Sequence, residues 1–287
     1  MPRLLDPIKK SLGEFTVSRI LPHSSKQMIG PFIFFDHMEP VNFPRGKGID
    51  VRPHPHIGIA TVTYLFEGSI LHRDNLGYEQ EIQPGDINWM TAGKGIVHSE
   101  RETEKVRNSN HTLHGLQLWV ALPDDKQEID ATFHHHSKET LPLFEYDGAT
   151  IRLMIGEIFG QKSPVKVHSP MFYADVTLPE NTTISIPKNG QELGVYVIDG
   201  TVSIDNTDYN KFDFIFATQE EEISITANEN AKLILIGGKE FYTERYIWWN
   251  FVSNSKNRIE QAKSDWLNGN FDKVLNDNEY IPLPEAK

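Results

Sequence analysis

At 287 residues the chain has room for two ordinary domains, each able to bury a core without covalent staples. It contains no cysteine, which excludes disulfides, zinc–thiolate and iron–sulfur sites and thiol nucleophiles, and leaves nitrogen and oxygen as the donors for any metal. A formal charge of −12 repels phosphate backbones and argues against direct nucleic-acid binding.

The start, Met1-Pro2-Arg3-Leu4-Leu5-Asp6-Pro7, has no apolar run of signal-peptide length, and no later stretch is long enough to span a bilayer. A cytoplasmic protein without membrane contact is expected. Short β-type runs follow in order: Phe32-Ile33-Phe34-Phe35, Thr61-Val62-Thr63-Tyr64-Leu65-Phe66, Leu116-Gln117-Leu118-Trp119-Val120 and Leu233-Ile234-Leu235-Ile236. Turn residues punctuate them at Glu67-Gly68, Gln83-Pro84-Gly85-Asp86 and Asp199-Gly200, a pattern of sandwiches or barrels. Near the C-terminus, Ile259, Ala262, Trp266 and Leu267 predict a helix over Asn257–Asn268, stopped at Gly269.

The strand pattern repeats. A constant offset sets Tyr64 on Tyr196 and Gly68 on Gly200, and Gly85–Trp89 resembles Phe212–Phe216 at a slightly smaller offset. Two linked β-barrels are therefore predicted, with the seam in the polar stretch Asp124–Leu143 and domains at 1–130 and 131–287, the helix belonging to the second. All twelve histidines lie at or before His168. At the same offset His54 and His56 fall on Ile186 and Lys188, and His98 falls near Ile225, so only the first barrel can build a histidine site.

His54-Pro55-His56 places two imidazoles at i and i+2, on one face of an extended strand. Pro55 biases His54 towards extended backbone and has no amide donor, which suits an edge strand. His98-Ser99-Glu100 repeats the spacing with one imidazole and one carboxylate, after a strand-turn-strand unit that brings both pairs to one level of a small barrel. Three histidines and a carboxylate form a borderline-hard set that suits iron(II), manganese, nickel, copper or zinc. In an octahedral frame they leave two positions for water, substrate or dioxygen.

Other features read more simply. His134-His135-His136 is expected to be a solvated inter-domain loop, and Glu220-Glu221-Glu222 a solvated turn. His37 is either an orienting neighbour of a ligand or a buried structural residue, and His114 and Gln117 either line a pocket or pack. His23, His72, His111 and His168 are expected to be surface or structural residues. Trp248-Trp249-Asn250-Phe251 is read as packing or a domain interface in preference to a ligand-stacking platform, and Gly93-Lys94-Gly95 as the turn that delivers His98.

Gly30-Pro31-Phe32, Phe35-Asp36-His37, the run Val51 to Gly58, Tyr64-Leu65-Phe66-Glu67-Gly68, the run Pro84 to Glu100 and His114-Gly115-Leu116-Gln117-Leu118-Trp119-Val120 together resemble the pirin family of the bicupin superfamily, densely from about residue 30 to 122. The resemblance implies two tandem cupin (double-stranded β-helix) barrels, an all-β fold apart from the short C-terminal helix. The general cupin pattern has a glutamate four or five residues after H-x-H, where this chain has Ala60 and Thr61. The pirin pattern instead takes its fourth ligand two residues after the later histidine. It thus implies His54, His56, His98 and Glu100 as ligands of one divalent metal, the same four that spacing selects. Iron(II) leads, with nickel, manganese, copper and zinc also compatible.

The resemblance further implies a flavonol (quercetin-type) dioxygenase, which opens the ring of a small aromatic substrate with O2 and releases carbon monoxide. Glu100 would serve as the catalytic base when it loosens from the metal. The alternative it implies is an iron-dependent, redox-sensing partner of a transcription factor or metabolic enzyme. The stretch Lys239–Asn250 departs from the family, many members of which have a proline-containing segment ending in a Gly-Pro-Phe turn there.

Overall fold

A computed structural model describes residues 2–11, 15–187, 190–217 and 223–285; Lys188 and the Glu220–Glu222 run lie outside the described residues. The chain forms two compact units. One comprises Lys9–Ser18, Asp36–Lys138 and Tyr242–Lys287, and the other Met1–Ile8, Arg19–Phe35 and Glu139–Phe241. Each is built on a double-stranded β-helix barrel, as the sequence predicts.

In the first unit the chain passes back and forth between two antiparallel sheets. Asp50–His56, Ile96–Arg101, Ile70–Asp74 and Glu79–Ile82 pair in that order in one sheet. Thr132–His136, Ile87–Thr91, Ile59–Glu67 and His111–Ala121 are neighbours in that order in the other. Period-two alternation sends Leu65, Ile70, Ile82 and Leu113 inward, where they pack with Phe43 and Ile49.

The second unit repeats the plan. Tyr64 pairs with Ile87 in the first barrel, and Tyr196 pairs with Phe214 in the second. The two strands end alike, in glycines at φ +83° (Gly68) and +80° (Gly200), a conformation other residues adopt at a cost. What fills the barrels differs. Where His54 faces His98 across its strand pair, Ile184 faces Ile225, inside an apolar cluster with Ile186, Ile204 and Ile223. The second barrel is packed with hydrocarbon at the level where the first carries imidazoles.

The compact units do not follow a cut at residue 130. The segment from Tyr242 onward groups with the first barrel, because Ile57 bridges Phe251 and these two pack with Ile259 and Ala262 of the helix Lys256–Leu267. That helix begins and ends within one residue of its predicted bounds, and Gly269 follows at φ +70°. Leu267, expected on its apolar face, is 72% exposed. The His134–His136 run is a correction of another kind. It lies in the strand Thr132–His136, paired with Ile87–Thr91, because Phe133 buries its ring and His135 bonds Asn88 Oδ1 at 2.8 Å. No helix among the described residues is long and apolar enough to cross a membrane.

Candidate metal centre

The strand Asp50–His56 lies at the edge of its sheet, where the missing amide of Pro55 is tolerated. Its neighbour Ile96–Arg101 pairs His98 with His54 and Ile96 with His56, so the three imidazoles share one face. Further along, Arg52 and Pro53 both oppose Ser99, a bulge on the edge strand. Alternation along Ile96–Arg101 is unbroken, so Glu100 shares the face of His98. Ring centroids lie 4.4 Å apart for His54 and His98, and 5.0 Å for the two other pairs. One nitrogen from each ring falls within 4.8 Å of the others. The residues are 6%, 2% and 1% exposed.

Burial fixes their charge. It pushes the His54 imidazole down to about 4, against a supporting hydrogen bond to the Arg52 carbonyl. It drives His56 and His98 well below the ordinary histidine range, and mutual repulsion among the rings adds to this. All three are neutral at pH 7. His54 Nδ1–H donates to the Arg52 carbonyl at 2.9 Å, which leaves Nε2 as its donor atom. His56 is held by a backbone hydrogen bond with Asn250. Among the described residues, His56 Nδ1 and His98 Nε2 are buried with no hydrogen-bond partner. A buried polar atom left so costs about 1–3 kcal/mol. Neutral, convergent, unpartnered nitrogens fit a divalent transition cation, which would satisfy them all at once.

Glu100 is on the correct face but does not join the three-nitrogen group. Its carboxylate turns towards Thr63, whose hydroxyl lies 3.4 Å from Oε1 and donates to Gln117 Oε1 at 2.9 Å. Burial raises the Glu100 carboxyl to about 7, and the Thr63 contact only partly opposes this. Of the two pocket candidates, Gln117 thus reaches the site through Thr63. His114 instead pairs with His37, Nε2 to Nε2 at 2.9 Å, outside the histidine group. Trp119 sets its ring edge-on to His56, with centroids 5.1 Å apart.

His72, expected to be a surface or structural residue, is a buried one that lies beside the histidine group. Its Nδ1 lies 3.4 Å from His98 Nδ1, and its Nε2 lies 2.9 Å from Asp74 Oδ2. The signal was available, since His72-Arg73-Asp74 is a third i, i+2 pair of ligand-type residues. His111 pairs with Glu102 at 2.9 Å and His23 with Ser25 at 2.7 Å, both away from the site. Trp248, Trp249 and Phe251 pack against the C-terminal helix as expected, but the backbone of Asn250 between them reaches His56. The turn at Gly93-Lys94-Gly95, closed by Gly95 N–H to the Ala92 carbonyl at 2.9 Å, leads into the His98 strand.

Comparison with known proteins agrees with this geometry. The Pirin profile matches residues 14–120, and that of the Pirin C-terminal cupin domain matches residues 173–272. A pirin-like protein of Caulobacter vibrioides is 45% identical over 286 residues, 98% of this chain and 99% of that protein. Pirin of Rattus norvegicus is 32% identical over 269 residues, 88% of this chain and 86% of its own. The crystal structure of a quercetin 2,3-dioxygenase from Acinetobacter baumannii matches with a TM-score of 0.91 at 34% identity, covering 100% of this chain and 96% of that one. Two cupin barrels, a histidine cluster confined to the first, and relatives aligned over nearly the full length lead to one assignment: the chain belongs to the pirin family.

Proposed function

We propose that His54, His56, His98 and Glu100 hold one divalent transition metal, and that the protein is a flavonol dioxygenase of the quercetin type. The observation that carries this reading is the convergence of three buried, neutral imidazoles, two of which, His56 and His98, bury a nitrogen with no hydrogen-bond partner among the described residues. The full-length similarity to a protein named quercetin 2,3-dioxygenase supports the substrate class. Iron(II) is the leading ion, with nickel, manganese, copper and zinc compatible with the same donors.

When bound, the metal supplies a Lewis acid that acidifies a coordinated hydroxyl and a site at which substrate and O2 meet. The chain does the rest. The backbone carbonyl of Arg52 holds the tautomer of His54, and the backbone of Asn250 orients His56. Glu100, on the same strand face as His98 and now beside Thr63, would complete the ligand set if its side chain turned to the three imidazoles. Burial raises its carboxyl to about 7 in the metal-free chain, and if it loosened from the metal it would be placed to take the proton of an enolic hydroxyl on Oε. Trp119 walls the site beside His56.

The test is chelator-stripped protein loaded anaerobically with each ion and then mixed with quercetin in air. Loss of the flavonol absorbance with release of carbon monoxide is expected for at least one ion. No turnover with iron, manganese, copper or nickel defeats the enzyme reading. Elemental analysis beside His56→Ala and Glu100→Ala tests the site itself, with about one ion per chain expected in the wild type only.

The burial of all three imidazoles favours a second reading, a redox-sensing interaction protein whose ion never meets a bulky substrate. Affinity capture from metal-replete and metal-stripped lysate bears on it, and an identical partner set in both argues against sensing.

A further inference from the structure

We infer that His72 and Asp74 are positioning residues, forming a histidine–aspartate relay that fixes the tautomer of His98 and aims its Nε2 at the metal. The inference rests on the metal site proposed above. The strand Ile70–Asp74 flanks the His98 strand on the side away from His54 and His56, with Asp74 opposite His98 and His72 opposite Glu100. All four side chains therefore share one face. Asp74 is 1% exposed and His72 4%.

The proton positions follow from the anchor. Asp74 Oδ1 accepts the backbone N–H of Leu76 at 2.9 Å and of Tyr78 at 3.1 Å, so the tight turn after this strand holds the carboxylate rigidly. Its other oxygen, Oδ2, lies 2.9 Å from His72 Nε2 and accepts that N–H. With its Nε2–H directed at Asp74, His72 offers Nδ1, 3.4 Å from His98 Nδ1, as the acceptor of the His98 N–H. His98 is left bare at Nε2, the atom that is buried without a partner among the described residues. The chain of donors thus runs from His98 to His72 to Asp74, each link fixing the next. Phe133 holds the plane of the relay, stacked on His72 with centroids 4.2 Å apart and 10° between the rings.

The three imidazoles are not equivalent in this arrangement. His54 donates to a backbone carbonyl and His56 is held by backbone. Only His98 is backed, through a second imidazole, by a carboxylate, which makes its Nε2 the most electron-rich of the three donors.

Cobalt(II) titration of the full, chelator-stripped chain tests this, with wild type, His72→Phe, His72→Gln and Asp74→Asn compared. Phenylalanine keeps the stack on Phe133 and removes both relay nitrogens. Glutamine restores an acceptor for His98 and a donor for Asp74. Asparagine keeps the turn bonds of Oδ1, but its amide donates to His72 and drives the His72 proton to Nδ1, against that of His98. The expected loss of cobalt affinity is about 10–100-fold for His72→Phe and Asp74→Asn, with His72→Gln recovering most of it.

A second readout separates relay from mere packing. In the cobalt-loaded protein the hyperfine-shifted Nδ1 proton of His98 should exchange slowly with solvent in wild type and His72→Gln, and rapidly in His72→Phe. If wild type binds one cobalt and the variants match it in affinity and exchange, the relay is overturned and the metal site stands. If wild type binds none, both fall. Should His72→Phe fail to fold, Asp74→Asn and His72→Gln carry the same comparison.

Discussion

An imidazole that stays neutral because it is buried leaves a signature in the pH dependence of folding. His54 has a native value of about 4 against an ordinary 6.5, so below pH 6.5 the unfolded chain binds a proton that the native state refuses. Its contribution is complete above pH 6.5 and is lost as pH falls towards 4, amounting to about 3 kcal/mol. His56 and His98 act with the same sign. Glu100 acts oppositely: its native value of about 7 exceeds the ordinary 4.5, so its contribution is complete below 4.5 and disappears as pH rises through 7. The metal-free protein is therefore expected to have a urea midpoint that falls from pH 6.5 to 4.5, and less steeply in His54→Gln. A midpoint that climbs over that interval would show that the imidazoles are not held neutral. Glu100 also predicts proton-linked metal uptake. Near pH 6 binding should expel close to one proton per ion, fewer at pH 8, and about none in Glu100→Gln. Calorimetry in buffers of different ionisation enthalpy reads this count directly. The sequence could place Glu100 on the face of His98, because a strand's alternation does that, but its rotation towards Thr63 depends on a neighbour from a distant strand.

At the scale of elements, what the sequence reveals depends on whether a pattern is carried by backbone period or by contact. His54-Pro55-His56 and His98-Ser99-Glu100 are legible because a period of two fixes the face. The helix is legible because Ile259 and Ala262 recur at helical spacing, and both are buried. Leu267 fits the same spacing, yet it lies in the last turn and stays 72% exposed. Thr132–His136 carries four polar residues in five, and it is a strand through contacts the sequence does not display, Phe133 pressed on His72 and His135 bonded to Asn88. Gly58 gives the element-scale prediction. It stands two residues after His56 at φ +71°, and a Cβ there would lie 2.0 Å from the Val252 carbonyl oxygen. Gly58→Ala should cost about 2 kcal/mol or more, since a left-handed alanine alone costs about 1–2 kcal/mol. The clash falls on the hairpin formed by Tyr246–Trp248 and Phe251–Ser253, whose Asn250 holds His56, so metal affinity should drop with stability. Chemical denaturation and cobalt titration of the same sample check both, and an unaffected metal affinity would detach the hairpin from the site.

Across the whole molecule the informative question is which parts of the chain feel the ion. Sequence order alone assigns residues after 130 to the second barrel, because a repeat read from Tyr64 and Tyr196 says nothing about where a tail returns. The contacts place the tail with the first barrel. Val252 N–H donates to the Ile57 carbonyl at 3.3 Å, Asn254 N–H to Gln127 Oε1 at 3.0 Å and Ile281 N–H to the Pro53 carbonyl at 2.8 Å. Arg101, next to Glu100, pairs with Asp277 at 3.2 Å and Glu279 at 2.5 Å. A ligand that binds only the folded site stabilises the cooperative unit that contains it, by about 2.7 kcal/mol at a hundredfold excess over Kd, which slows exchange of that unit's amides about a hundredfold. Hydrogen exchange with and without metal should therefore show added protection at Asp50–His56 and Ile96–Arg101 together with Phe251–Ser253 and Lys256–Leu267. The strands Glu192–Asp199 and Ala231–Gly238 should change little, since they contribute to an apolar cluster where the first barrel has its imidazoles. Protection that skipped the C-terminal helix, or that appeared in Glu192–Asp199 as strongly as in Asp50–His56, would mean that the ion is not held where the three imidazoles converge.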